Sequence, residues 1–335
     1  MKDISAHIKT HFPNKKIVIV GDLVADQFLR GTISRVSREA PVFILRHDET
    51  ETLAGGAANA AVNAASLGGN VNLVGFIGED ANGCSLSEKL KNSKVNCAHL
   101  VSSKKIQTTT KVRVLAGQPF ATRQQVIRID YENQTEIGED LQNQLKENLR
   151  AAAAEADAII ISDYNYGAAN TEIAELAKII SEQKNIPLLI DSRFRLENFK
   201  GATSATPNQE EVEQIIGKDF TASECESLRN KLGLESLLVT RGNKGMLLVE
   251  KDKPSLEIEI VGSSEPVDVT GAGDTVIAVY ALALASGLSY AESAYLANHA
   301  GGIVVMKKGT ASVFLPELLE SIKSDTKFRI SKSVS

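Results

Sequence analysis

Short apolar runs separated by segments of helical period extend along most of the chain. Residues 16–20 (KIVIV) form the first run, which stops at Gly21-Asp22, as a buried strand does where it feeds a loop. Residues 55–67 (GGAANAAVNAASL) are rich in small helix formers and close at Gly68-Gly69. A strand over 71–77 follows, then a helix around 141–154 and a strand over 158–162. Next come a helix over 171–183 and strands at 187–191 and 237–240. A hairpin-like pair at 246–250 and 256–261 precedes helices at 271–286 and 290–306. Strands alternating with helices of this length predict an α/β fold, a mainly parallel sheet with helices on both faces.

Two regions depart from this pattern. Residues 27–46 and 109–131 alternate polar and apolar positions without an intervening helix. The second (TTTKVRVL, then RQQVIRIDY) reads as two antiparallel strands joined across 116–122. Period-two alternation with one polar face fits a small exposed sheet. The expectation is one domain over 1–335 carrying a β lid built from about 27–46 and 109–131, with only the last dozen residues frayed. A two-stranded lid with an apolar face is marginal alone, so a homodimer joined through it is expected.

Composition narrows the partners. Of 335 residues, 43% are hydrophobic and 24% charged, and the net charge of −5 argues against a nucleic-acid partner. Any positive site is therefore local. Cys84, Cys97 and Cys225 show neither C-x-x-C spacing nor a zinc pattern, which suits reduced thiols in the cytosol. His7, His11, His47, His99 and His299 are scattered and suggest no metal site. Residues 1–16 lack the apolar core of a signal peptide. The longest apolar run, 276–285, falls well short of the ~20 residues of a spanning helix. A cytoplasmic protein with no membrane partner is expected.

The strongest chemical signal is residues 268–274, DVTGAGD, followed at once by the apolar helix TVIAVYALALA. Gly271 and Gly273 let the backbone bring its N–H groups close to an anion, and the helix adds its unsatisfied first-turn donors. Asp274 in that first turn would stand beside a bound phosphate, placed to accept a proton from an attacking hydroxyl. On spacing alone, a plain helix-capping role for Asp274 reads slightly ahead of a catalytic one. No Walker A, dinucleotide-binding or protein-kinase signature occurs.

DVTGAGD resembles the C-terminal signature of the PfkB or ribokinase-like carbohydrate kinases, and further matches fall in order along nearly the whole chain. The resemblance implies an ATP- and Mg2+-dependent sugar kinase with Asp274 as base and Gly271, Ala272 and Gly273 around the transferred phosphate. Gly21-Asp22 is similar to the strand-end motif whose carboxylate binds sugar hydroxyls, and Gly55, Gly56 and Asn59 to the signature lining the sugar pocket. Asn208 and Glu211 match N-x-x-E, which implies magnesium organised by Glu211 through water. Thr240, Gly242 and Asn298 fall where the family meets the nucleotide.

Residues 32–42 (TISRVSREAPV), KVRVL, QQVIRID and GATSATPNQEE resemble the kinase half of bacterial ADP-heptose synthesis enzymes. That branch phosphorylates D-glycero-D-manno-heptose 7-phosphate at the anomeric hydroxyl, on the route to lipopolysaccharide core. On this resemblance a stand-alone kinase without the nucleotidyltransferase half is expected. Two departures fall on the phosphate side: Tyr166 and Arg193 stand where the branch usually has Lys. Asp22 and Asp163 close strands at the end where open α/β sheets bind ligands, although each also reads as a loop or turn acid. Arg35, Arg113 and Arg128 are single strand cations by themselves and a phosphate clamp if the lid brings them together. The alternatives are a related kinase of another sugar, sugar phosphate or nucleoside, and a non-catalytic sugar- or nucleotide-sensing homologue.

Overall fold

After Lys16, the run IVIV has no polar position because both faces of its strand are covered. Ile17 and Ile19 enter one hydrophobic cluster, Val18 and Val20 another. The computed structural model describes residues 4–118, 123–133 and 137–325. The chain opens with α1 (Ile4–His11), β1 (Lys16–Gly21), β2 (Leu23–Val36), β3 (Phe43–Gly56), α2 (Ala57–Ser66) and β4 (Asn70–Gly78). It continues through α3 (Ala81–Asn92), β5 (Leu100–Ser103), β6 (Thr110–Gly117), β7 (Gln124–Tyr131), α4 (Glu139–Ala152) and β8 (Ala158–Asp163). Next are α5 (Thr171–Lys184), β9 (Leu188–Ser192), β10 (Ser204–Ala205), α6 (Gln209–Ile216), α7 (Ala222–Leu232) and β11 (Ser236–Thr240). The last elements are β12 (Met246–Glu250), β13 (Leu256–Ile258), α8 (Ala272–Ala285), α9 (Tyr290–Val304) and α10 (Leu315–Ser324).

The large sheet has the order β13-β12-β11-β10-β9-β8-β1-β4-β5. It is parallel from β5 to β11, and β12 runs antiparallel to both its neighbours. One face packs on α1, α2, α8, α9 and α10, the other on α4, α5 and α7. No helix among the described residues is long and apolar enough to cross a membrane.

A second sheet of order β3-β2-β6-β7 stands at the edge of this frame. Its first hairpin is longer than the alternation at 27–46 suggests, pairing Leu23 with Gly56 at one end and Val36 with Phe43 at the other. Gly55-Gly56 therefore ends β3, and Gly56 is at once the N-cap of α2. Gly56 turns the chain with φ of 57°, and a Cβ there would stand 2.6 Å from the Asp22 carbonyl oxygen. The junction expected across 116–122 lies in part outside the described residues, as does most of the tail expected to fray.

Sequence patterning passed over α3, α6, α7 and α10, which are short and largely polar. Two carry capping boxes, Asn208 with Glu211 and Thr221 with Glu224, so the N-x-x-E match is also a helix start. β10 has only two residues, too few for any periodicity to register.

Candidate active site

The C-terminal ends of β8, β9, β10 and β11 open into a cavity of about 480 Å3, roofed by β2, β6 and β7 of the small sheet. At Thr240, Val269, Ala272 and Gly273 this cavity meets an apolar slot of about 190 Å3 walled by Val261, Val276, Gly301, Gly302 and Val305. On the opposite side Lys111, Arg128, Tyr164, Arg193 and Phe194 are shared with an open groove under Tyr166.

Asp274 lies in the central cavity in the first turn of α8, 2% exposed. Its carboxylate accepts from Asn59 Nδ2 at 2.9 Å and from the Tyr164 hydroxyl at 2.8 Å. Burial lifts its pKa to about 7, while the two donors pull it back. The turn before it needs glycine at position 271. Gly271 has φ of 78°, and a Cβ there would stand 2.4 Å from Asn59 Nδ2. A Cβ on Gly273 would meet nothing within 4 Å, so this position leaves the cavity open before the helix N-terminus. Ala272 lines both compartments. Asp268 ties the turn down, accepting from Thr270 N at 3.0 Å and from Gly309 N at 2.9 Å.

Several expected sugar and phosphate contacts are placed differently. Asp22 does not line the central cavity. Its carboxylate accepts from the backbone N–H groups of Tyr164 (2.8 Å), Tyr166 (2.9 Å) and Ala168 (2.8 Å), leaving it to shape the loop that carries Tyr164. Asp26, four residues along on β2, faces the cavity instead, 4% exposed. A Cβ on Gly55 would stand 2.5 Å from that Asp26 carboxylate, so Gly55 serves β2–β3 packing. Arg113 lines the cavity but donates to Asp26 at 2.6 Å. Arg128 reaches its rim paired with Asp130 at 2.9 Å. Arg35 is exposed at the distal end of the hairpin, opposite Ile44. Nine residues beyond Asp26 at about 3.3 Å each, it is roughly 30 Å from the cavity and not part of a clamp. Asp163 does line the central cavity, 1% exposed, and its carboxylate is engaged there by Arg195, by Ser192 Oγ at 2.7 Å and by Asn165 N at 3.0 Å.

On the slot side the expected residues do come together. Thr240 and Gly242 line it at the end of β11, and Asn298 lines it from α9. The Asn298 amide donates to the Glu259 carbonyl at 2.7 Å, so it holds the slot wall in place. Glu211 lines the central cavity while its carboxylate accepts from Asn208 N at 2.8 Å. Burial raises its pKa, and Asp191 opposite is raised well above the ordinary value by burial and then by the nearby Asp274 and Glu211 carboxylates.

Sequence reasoning missed Lys111, Tyr164, Asp191, Thr206 and Thr310. Lys111 sits two residues before Arg113 on β6, the spacing of a shared strand face, and registers with Asp26. Its ammonium lies 5.8 Å from the Tyr164 ring and 5.6 Å from the Tyr166 ring. Burial lowers its pKa and the Asp26 carboxylate raises it in return. Arg193 lines both cavity and groove, stacked 5.5 Å from the Phe194 ring. Thr206 and Thr310 line the cavity, and their hydroxyls are buried without a partner among the described residues.

A family model described as pfkB family carbohydrate kinase matches residues 14–318. The bifunctional protein HldE of Haemophilus influenzae (strain PittEE) is 40% identical over 326 residues, covering 95% of this chain and 65% of that protein. The bifunctional protein HldE of Coxiella burnetii (strain RSA 331) is 37% identical over 329 residues, covering 97% and 66%. The chain thus spans just under two thirds of these relatives' length. Arabidopsis thaliana ribokinase complexed with ribose and ATP aligns with a TM-score of 0.69 at 21% identity, covering 93% of this chain and 99% of that one. Escherichia coli phosphofructokinase-2 in complex with substrates and products aligns with 0.74 at 18%, covering 92% and 98%. At that identity the two structures establish the fold.

Asp274 yields a stability prediction. Its folded pKa of about 7 lies above the ordinary 3.8, so the folded state holds the proton more tightly. Stability therefore falls as pH rises from about 4 to 7, by an amount on the order of 4 kcal/mol for a fully buried group. Asp274→Asn should raise Tm relative to wild type at pH 8 and lose that advantage near pH 4. Thermal melts at the two pH values check it; equal differences at both would contradict the burial of a charge.

Proposed function

This chain belongs to the pfkB family of carbohydrate kinases, and on that premise we propose that it transfers the γ-phosphoryl group of ATP to the anomeric hydroxyl of D-glycero-D-manno-heptose 7-phosphate. The carrying observation is the place of Asp274, between an apolar slot fit for a purine and a groove edged by cations. The branch reading is supported by the 40% identity with the HldE protein and the matching lid and GATSATPNQEE segments.

In the proposed reaction the acceptor hydroxyl donates to a remaining lone pair of the Asp274 carboxylate. As the new P–O bond forms, Asp274 takes the proton and the bond from the γ-phosphorus to the ADP oxygen breaks. A base with a pKa near 7 is matched to neutral pH. The α8 N-terminus and the unpartnered Thr206 and Thr310 hydroxyls supply donors along the phosphate path. The oxygen donors Asp191, Asn208 and Glu211 fit magnesium held largely through water, since burial has left two raised carboxyls that a cation would ionise. Magnesium supplies neutralisation of phosphate charge there.

The cations left to meet the sugar's own phosphate are Lys111 and Arg193, because Asp26 and Asp130 occupy Arg113 and Arg128. The small sheet then acts as a lid on a single kinase unit working in the cytoplasm. It also supports a homodimer: β7 is exposed along its whole length, and Phe43, Val126, Ile127 and Ile129 are 59%, 48%, 54% and 42% exposed.

Asp274→Asn should lower turnover roughly 10²–10⁴-fold, and retention of more than about a tenth would remove it as base. With heptose 7-phosphate, Lys111→Ala and Arg193→Ala should each lower kcat/KM about ten- to a hundredfold, as loss of a charged hydrogen bond does. With the dephosphorylated sugar the same variants should change little. Equal wild-type efficiency with both sugars would sink the heptose-phosphate reading, and equal losses with both would move the cation to the nucleotide side. For the dimer, Ile127→Lys with Phe43→Glu should give a monomer in sedimentation; an unchanged mass would exclude this face.

A further inference from the structure

An asparagine amide can meet a carboxylate with its NH2 or with its oxygen, and only the first orientation stabilises the charge. The orientation of Asn59 at Asp274 is set by a chain of hydrogen bonds that begins at a backbone group. The Val313 N–H can only donate, and it donates to Asn63 Oδ1 at 3.1 Å. Asn63, fully buried one helical turn after Asn59 on α2, must therefore turn its NH2 toward Asn59. That NH2 donates to Asn59 Oδ1 and to the Asn59 carbonyl, both at 3.1 Å. With its oxygen engaged, Asn59 has its own NH2 left for Asp274 Oδ2 at 2.9 Å and the Gly271 carbonyl at 3.2 Å.

We propose that Asn63 is a positioning residue for phosphoryl transfer, holding the Asn59 amide so that the base always faces a donor. The inference rests on Asp274 being the base. The charged and titratable groups around Asp274 are Tyr164 from the loop after β8, Asp26 from β2, Lys111 from β6, Asp191 from β9 and Arg193 beyond it. None of them hydrogen-bonds Asn63, so it reaches the carboxylate through Asn59 alone.

Asn63→Leu keeps the volume and removes the relay. The acid limb of its kcat–pH profile should move up by about one unit, a tenfold loss below the limb that recovers above it, with the KM for ATP unchanged. Asn63→Asp keeps the Val313 bond and offers Asn59 only an acceptor, which reverses the Asn59 amide, so its limb should move further. The Asn63→Leu shift should vanish when the variant is made in an Asn59→Ala background, and the Asn63→Asp shift should shrink to what direct repulsion between the two carboxylates leaves. Ser66→Ala removes a different bond to the same anchor, the 2.6 Å donation to the Val313 carbonyl, and should leave the limb in place. A limb unmoved in both Asn63 variants, or moved equally in the Asn59→Ala background, would overturn the proposal. Asp274→Asn that keeps its turnover would instead remove the base on which it rests, so the two failures are distinguishable.

Discussion

A carboxylate kept out of water at the start of α8 is the constraint that organises the site. A charge so placed is unfavourable unless donors are fixed around it, and those donors come from distant parts of the chain. Asn59 arrives from α2 and Tyr164 from the loop after β8, 215 and 110 residues away from Asp274. The apolar packing of α2 and α8 on one face of the sheet therefore sets the protonation of Asp274. Two donors hold its pKa near 7, where it can both keep and release a proton.

Much of this was legible in the sequence. The alternation of runs such as KIVIV with small-residue helices predicts the parallel sheet, because strands covered on both faces have no polar side to show. DVTGAGD announced a turn at a helix start with a carboxylate beside it. What was illegible is mostly direction. Asp22 and Asp26 are both acids near the end of β1, and nothing in their spacing tells which one turns to the cavity. That depends on three backbone N–H groups about 145 residues later. Arg35, Arg113 and Arg128 read alike as strand cations, yet one is remote and two are neutralised by neighbours. Lys111 shares Arg113's face and was open to the same period-two argument.

The small sheet shows the same economy of charge. Asp26 consumes Arg113, Asp130 consumes Arg128 and Glu132 accepts from the Tyr166 hydroxyl, so the acids of the strands set which cations remain available. What remains is Lys111 and Arg193 at the mouth where the cavity meets the open groove, in a chain of net charge −5.

The loop over residues 164–168 turns three successive alternate N–H groups inward onto one carboxylate, that of Asp22. Proteins commonly use such a cradle to capture an anion from solution. Here the guest is tethered to β1, so the receptor is permanently filled by its own chain. Shortening the tether to alanine would leave an empty oxyanion receptor of formate size in the loop whose Tyr164 hydroxyl donates to Asp274. Tyr164 would then depend on a borrowed anion for its place, and the protein would have gained a small-molecule dependence that its own aspartate normally hides.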